Sequence, residues 1–460
     1  MGVAMQGLAR AVRWIGVVLL FATSLMRATF AAEATLVVED CSLFDPHLQV
    51  MLPNRTIAVR GERIEAVLQS GEPFESSAET MRIDGRGKFV IPGLIDAHVH
   101  LVHVLDLAGA SGEEVLPLYL AAGVTGIRST GDELTAATKV KEHAEANPLA
   151  SPRVFLCSPL LDADPPIHGP LTGRAITNPA DLPPLLDDLR RRNVTTLKIY
   201  AGTKRDVGRA IISEGQRRGF FVTAHLGAYS AQDAVADGID GLEHIWSVFN
   251  YVLPPGAARS TVDLDNPQCA TLVAQLVERK TFVDPTLSVF RNMILLPDVP
   301  EVSGHADNAL APAKLREFWP RYLQQAGCPQ GGDLETRRHE FAKYQELTGR
   351  LYRAGVPLLV GTDAPEPQVT PGFSLHQELE LLVESGLPPA AALRAATLHN
   401  AMVLRQQDQL GAIEAGKLAD MLVLSANPLS DIRNTRHINW VIRGGVALRP
   451  AEVLSGKSPE

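Results

Sequence analysis

Beyond its first thirty residues the chain has no apolar stretch long enough to cross a bilayer, which takes about 20 residues. It also lacks an excess of positive charge. Lys and Arg number 43 against 52 Asp and Glu, a formal net charge of −9. A nucleic-acid partner, which calls for a basic patch, is therefore not expected. Aromatic residues are sparse, at 5% of 460. The four cysteines, Cys41, Cys157, Cys269 and Cys328, do not show the paired spacing of a cysteine-based zinc site. What is present is an ordinary globular composition, 45% hydrophobic and 21% charged. The length suits one large barrel plus an accessory domain.

Residues 1–31 read as a signal peptide. Arg10 and Arg13 form a positive leader, residues 14–25 an apolar run, and Thr29-Phe30-Ala31 a small-residue cut site. The expectation is a protein exported to the periplasm or beyond, with no stable membrane span after cleavage. Export permits disulfides. Cys269 and Cys328 flank one long segment and are candidates to pair, whereas Cys157 lies in an apolar run and reads as a buried thiol.

Short strands and turns fill residues 34–90, a set too small to stand alone. From Ile91 apolar strand runs alternate with helical patterns, the signature of βα units around a parallel sheet. The expected strands are 89–97, 124–129, 153–157, 196–200, 221–225, 241–245, 281–285 and 357–362. Helical segments are expected at 113–122, 134–146, 181–192 and 205–218. No glycine-rich phosphate fingerprint follows the first strand, which weakens the alternative of an open doubly wound sheet. The expected fold is α/β, a (β/α)8 TIM barrel with a small β-sandwich domain formed by both chain ends. The barrel would take 91–402 and the sandwich 32–90 plus 403–456. Long connections after 244 and after 286 are expected to act as lids or specificity elements.

The first barrel strand ends in His98-Val99-His100. Residues i and i+2 of a strand share a face, so the pair is either half a metal site or two polar side chains at a strand end. Other strands decide between these. Lys198 lies within the fourth, His225 closes the fifth, His244 the sixth and Asp363 the eighth. Strand ends converge on one face of such a barrel. Histidine and carboxylate suit Zn2+ or a similar ion. A cationic lysine cannot be a ligand, but a neutral one can take up CO2 to give a bridging carbamate. A pair of metals so bridged can share a nucleophilic hydroxide.

This set resembles the amidohydrolase superfamily. The pieces that carry the resemblance are Pro92-Gly93-Leu94-Ile95-Asp96-Ala97-His98-Val99-His100, Leu197-Lys198-Ile199, Thr223-Ala224-His225, Glu243-His244, Val283-Asp284-Pro285-Thr286-Leu287 and Gly361-Thr362-Asp363-Ala364. Thr397-Leu398-His399-Asn400-Ala401 and the run from Gly411 to Leu424 extend it into the tail. The lysine with the Glu-His pair looks most like the imidazolonepropionase-related branch, which includes prolidase-like and Xaa-Arg dipeptidases and ochratoxinase-like amidases.

The resemblance implies two zinc ions per chain. His98, His100, N6-carboxylated Lys198 and Asp363 would hold one, and Lys198, His225 and His244 the other, with Asp363 as catalytic base and acid. The implied activity is hydrolysis of an amide bond in a small peptide-like or N-acyl amino acid substrate. A hydrolase of cyclic amides, lactones or phosphoesters is the alternative, and a non-catalytic binding protein a third. His168, in Asp164-Pro165-Pro166-Ile167-His168-Gly169-Pro170, matches a branch histidine that reaches a substrate oxygen. Tyr200 and Tyr229 are the other candidates for substrate contact. Dipeptidases of the branch often carry a tyrosine two residues after the strand-five histidine, where this chain has Gly227. His103 reads as a loop residue rather than a ligand. The expected partner is a small-molecule substrate, and a homo-oligomer is left open.

Overall fold

The structure is a computed structural model, which describes residues 34–295, 299–325 and 333–456. The expected leader and Cys328 lie outside the described residues, while Cys269 carries a buried free thiol. The chain opens with β1 (Ala34–Asp45), β2 (Val50–Arg60), β3 (Arg63–Gln69), β4 (Ser76–Asp84) and β5 (Phe89–Pro92). There follow β6 (Leu94–Val99), β7 (Val124–Gly131), β8 (Arg153–Asp162), β9 (Gly173–Ala175), β10 (Thr196–Ile199), β11 (Phe221–Ala224), β12 (Gly241–Glu243) and β13 (Phe282–Asp284). The tail adds β14 (Met421–Leu424), β15 (Ile438–Arg443) and β16 (Val446–Leu448).

Both chain ends build one sheet, in the order β16-β15-β14-β5-β1-β2-β3, with β4 also pairing β1. Its strands alternate between two faces, as a period of two requires, with bulges that shift the register in β1. Val90, Met421, Val423 and Ile442 turn into a small core shared with Leu36, Val38, Ile57 and Val59. Their neighbours Ile91, Leu422, Leu424 and Val441 turn the other way and join the main barrel core. The sheet is thus seated on the barrel through one face. Gly123 marks the closest approach, since a Cβ there would lie 2.6 Å from the Leu422 side chain.

The expected first strand is in fact two. β5 belongs to the end sheet, where it pairs β14 from Phe89 to Pro92, and β6 belongs to the barrel. Gly93 separates them, and a Cβ there would collide with Thr125. The barrel strands run in the order β13-β12-β11-β10-β8-β7-β6 and are parallel throughout. The helices between them follow the sequence pattern. Leu182–Arg191, for example, buries Leu182, Leu186 and Leu189 along one stripe.

Residues 357–362, the expected eighth strand, form no continuous ladder. The segment touches its neighbours at single bridges, Leu358 with Val283 and, just beyond it, Ala364 with Val99. Backbone bonds still tie it to both neighbours. They run from Val283 N to Pro357 O and Leu359 N to Val283 O on one side, and from Ala97 N to Val360 O, Asp363 N to His98 O and His100 N to Ala364 O on the other. Side chains add to them. Asn400 donates to the carbonyls of Ile95 (2.6 Å) and Val360 (2.8 Å) and accepts from Val360 N. Asp284 accepts from Gly361 N at 2.9 Å, and Asp96 accepts from Thr362 N at 3.1 Å and Thr362 Oγ1 at 2.7 Å. Buried backbone groups must be paired somehow, and here backbone bonds to both neighbours and three polar side chains together close the barrel between β13 and β6.

Candidate active site

The strand-end residues meet at the C-terminal mouth of the barrel. His98 Nε2 lies 3.3 Å and His100 Nε2 2.9 Å from Asp363 Oδ1. His244 Nδ1 is 3.9 Å from Asp363 Oδ2. The His98 and His244 rings are 4.7 Å apart, as are those of His225 and His244. The backbone is turned to aim these groups. His244, Thr286 and Asp363 all adopt left-handed φ, at 66°, 46° and 64°. Non-glycine residues rarely do so, and such strain gathers at functional sites. In β8 an extra residue bulges opposite β10, and Ser158 Oγ accepts from Lys198 N at 3.0 Å. Bulges of this kind re-aim side chains, and Lys198 sits at this one.

Charge is distributed unevenly across the cluster. Burial, then the charge on Lys198, pushes His98 down to about 4 and His225 down to about 3. Burial also holds His244 well below its ordinary value. Burial opposes the charge on Asp363, yet its carboxyl is held well below the usual range, and the His100 Nε2–H that donates to it at 2.9 Å supports the ionised form. Lys198 is buried, and burial lowers its pKa. Among the described residues its ammonium makes no ion pair. The cluster therefore gathers neutral imidazoles and a depressed amine around an ionised carboxylate.

Behind these groups lies a buried support. His98 Nδ1 donates to Glu243 Oε2 at 2.8 Å, which leaves a lone pair on Nε2 aimed at the mouth. The other oxygen of Glu243 accepts from Arg128 at 2.6 Å, and Arg128 also donates to Ala97 O. Burial, and then the charge on Glu243, holds Asp284 well above the usual carboxylate value. Asp132 gathers the loop after β6, accepting from Leu101 N (2.7 Å), Ser129 Oγ (2.6 Å) and His103 Nδ1 (3.0 Å). Sequence reasoning gave none of these residues a role. Glu243 had a signal, since an acid inside an apolar strand beside a histidine must find a partner.

His168 reaches the rim and not the centre. Its Nε2 is 2.6 Å from Tyr200 Oη, and the Tyr200 ring lies 5.0 Å from that of His225. Tyr229 is not brought to the site. Its hydroxyl donates to Asp237 at 2.8 Å, and its ring packs against Gly208 in the helix Arg205–Arg217. Gly227 has no space for a side chain, because a Cβ there would meet Ala201 O at 2.5 Å. His103 stands beside the ligand set, its ring 4.5 Å from that of His100 and 6.3 Å from that of His168.

Residues 89–448 match the amidohydrolase family. The chain belongs to that family. An imidazolonepropionase of Aromatoleum aromaticum is 26% identical over 394 residues, 80% of this chain and 85% of its own. Among solved structures, a Xaa-Pro dipeptidase with methionine bound in its active site superposes with a TM-score of 0.66 at 20% identity, over 90% of this chain and 99% of that one. Bottromycin amidohydrolase gives 0.69 at 22% identity, over 91% and 90%. These two likenesses concern the fold. As a family member the chain is an enzyme, a hydrolase acting on carbon–nitrogen bonds.

The residues fit a divalent cation. With its Nδ1 proton committed to Glu243, His98 presents a lone pair to the ionised Asp363 oxygen at 3.3 Å. The Nδ1 of His100 is buried without a hydrogen-bond partner. Acceptors facing acceptors in a buried site are costly unless a cation lies between them. In this amidohydrolase the candidate ligands are those expected: His98, His100, Lys198, His225, His244 and Asp363.

Proposed function

We propose that the chain is a metal-dependent amidohydrolase that cleaves the amide bond of a small peptide-like or N-acyl amino acid substrate. The observation that carries this reading is the convergence of His98, His100, His225 and His244 around Asp363 at the barrel mouth. His98, His100 and Asp363 would hold one metal, His225 and His244 a second, and Lys198, as the carbamate, both. Zn2+ suits this donor set. When bound, the metal would polarise the scissile carbonyl and supply a nucleophile at neutral pH.

The chain's own residues do the rest. The depressed Lys198 amine is the form that adds to CO2, giving a carbamate and releasing one proton. Asp363 accepts a proton from the attacking water and returns it to the leaving nitrogen. Glu243 fixes the tautomer of His98. His168 and Tyr200, hydrogen-bonded at the rim, orient a substrate oxygen. The imidazolonepropionase relatives favour a second reading, hydrolysis of a cyclic amide on the same site.

Export through the leading segment belongs to the same proposal. The test is direct. Elemental analysis of the purified chain should find about two divalent ions. Lys198→Ala and Asp363→Asn should each lose at least about a thousandfold in kcat/KM. Full activity in either variant would defeat the mechanism.

A further inference from the structure

A half-open cavity of about 280 Å3 lies at the foot of the barrel, away from the mouth. It forms where the turn between β1 and β2 meets the barrel. Gln49 comes from that turn, and Pro357 and Leu358 from the start of the segment whose far end carries Asp363. Arg394 closes the helix Pro389–Arg394, and His399 closes the π-helical turn Ala395–His399 that follows. Much of the wall is apolar, with Val356, Leu358, Leu387 and Ala395 all buried. None of the residues that line the cavity is acidic. His399 Nδ1 donates to Leu358 O at 2.9 Å, which fixes that ring against the wall. Arg394 is half-buried, and its Nε is shut from solvent without a hydrogen-bond partner. Among the described residues its guanidinium makes no ion pair.

The protein therefore sets a permanent cation at an apolar cavity and supplies no anion to match it. Such a charge is costly until a counter-charge arrives. A guanidinium suits a carboxylate, which its forked N–H groups can hold through two hydrogen bonds. A phosphate dianion would meet a single guanidinium and apolar walls, so most of its charge would stay unmatched. The volume is at the small end for a ligand site, about 300 Å3, and junctions between domains are common places for one. We propose that this cavity binds a small organic carboxylate with an apolar body, its carboxylate on Arg394 and its alkyl part against Leu358, Leu387 and Ala395. The site is separate from the metal-ligand cluster and does not depend on the reaction carried out there.

The test is calorimetric titration of the zinc-loaded full chain with 4-methylpentanoate and with its neutral amide, 4-methylpentanamide. The carboxylate should bind with a Kd of about 1 mM or tighter. The amide, which has the same shape but no charge, should bind at least about tenfold more weakly. Arg394→Met keeps the apolar stem and removes the charge. In that variant one carboxylate site per chain should disappear, with metal content unchanged, while any carboxylate held at the metal centre stays. No binding of the carboxylate, an amide that binds as tightly, or the same number of carboxylate sites in Arg394→Met as in the parent would overturn the proposal. The comparison of acid with amide in the parent stands even if the variant fails to fold.

Discussion

Glu243 holds two partners at once, the imidazole of His98 and the guanidinium of Arg128, and all three are buried. Its part in the site is orientation. With the Glu243 bond in place, His98 has one tautomer and one direction for its free lone pair. Glu243→Gln can still accept from one neighbour, but Arg128 is left without its counter-charge and His98 without a fixed tautomer. The expected outcome is a metal affinity lower by about ten- to a hundredfold, read by competition with a chromogenic chelator. Unchanged affinity would mean that His98 is oriented by other contacts. At this scale the sequence was informative where chemistry and pattern coincide, as at His98, His100, Lys198, His225, His244 and Asp363. It misled at Tyr229, because local spacing does not say that a hydroxyl is already committed to Asp237.

The least regular element does the most to place the site. Residues 357–364 carry Asp363, and they are held by backbone bonds to β13 and β6 together with the side chains of Asn400, Asp284 and Asp96. The apolar run at 357–362 reads as a strand because its composition is that of a strand. The sequence pattern alone does not reveal that part of its hydrogen bonding goes to side chains. The same limit split the first expected strand at Gly93. Asn400 follows a π-helical turn, Ala395–His399, which sets its amide between Ile95 and Val360. Asn400→Ala would take the acceptor from Val360 N and remove the side-chain donor to Ile95 O, while Val360 O keeps its bond from Ala97 N. We expect a loss of about 1–3 kcal/mol in stability by denaturant unfolding, and a drop in kcat as Asp363 loses its position relative to His98. A change within experimental error in both would show that the segment holds itself.

Across the whole molecule the two chain ends meet in one sheet that is keyed to the barrel. Arg153 at the start of β8 donates to Asp420 at 2.7 and 3.1 Å, and Asp420 also accepts from Gly444 N. The pairing of both ends was legible from strand-like runs flanking the barrel. The register that turns one face to the barrel was not. His376 adds a further tie. Its Nε2 donates to Ala122 O at 2.9 Å, and its Nδ1 meets Thr435 Oγ1 at 2.9 Å.

Burial pushes His376 from 6.5 down to about 3. The unfolded chain therefore takes up a proton that the folded chain refuses between these values. This contribution is intact above about 6.5 and is lost as pH falls towards 3. At pH 5 the loss is about 2 kcal/mol. Denaturant unfolding at pH 7 and pH 5 should show a shallower acid loss in His376→Gln than in the parent. The other buried histidines act equally in both chains and cancel. Equal acid losses would place the sensitivity elsewhere.

The reading as a whole depends on the histidine and Asp363 cluster being a hydrolytic metal centre. One measurement addresses this most directly: amine release from a panel of dipeptides, aminoacyl amides and N-acyl amino acids, before chelation, after it, and after zinc is restored. The prediction is hydrolysis of at least one class, its loss on chelation and its recovery with zinc. Hydrolysis that persists at full rate in the chelated protein, or a zinc-loaded protein that cleaves no member of the panel, would contradict it.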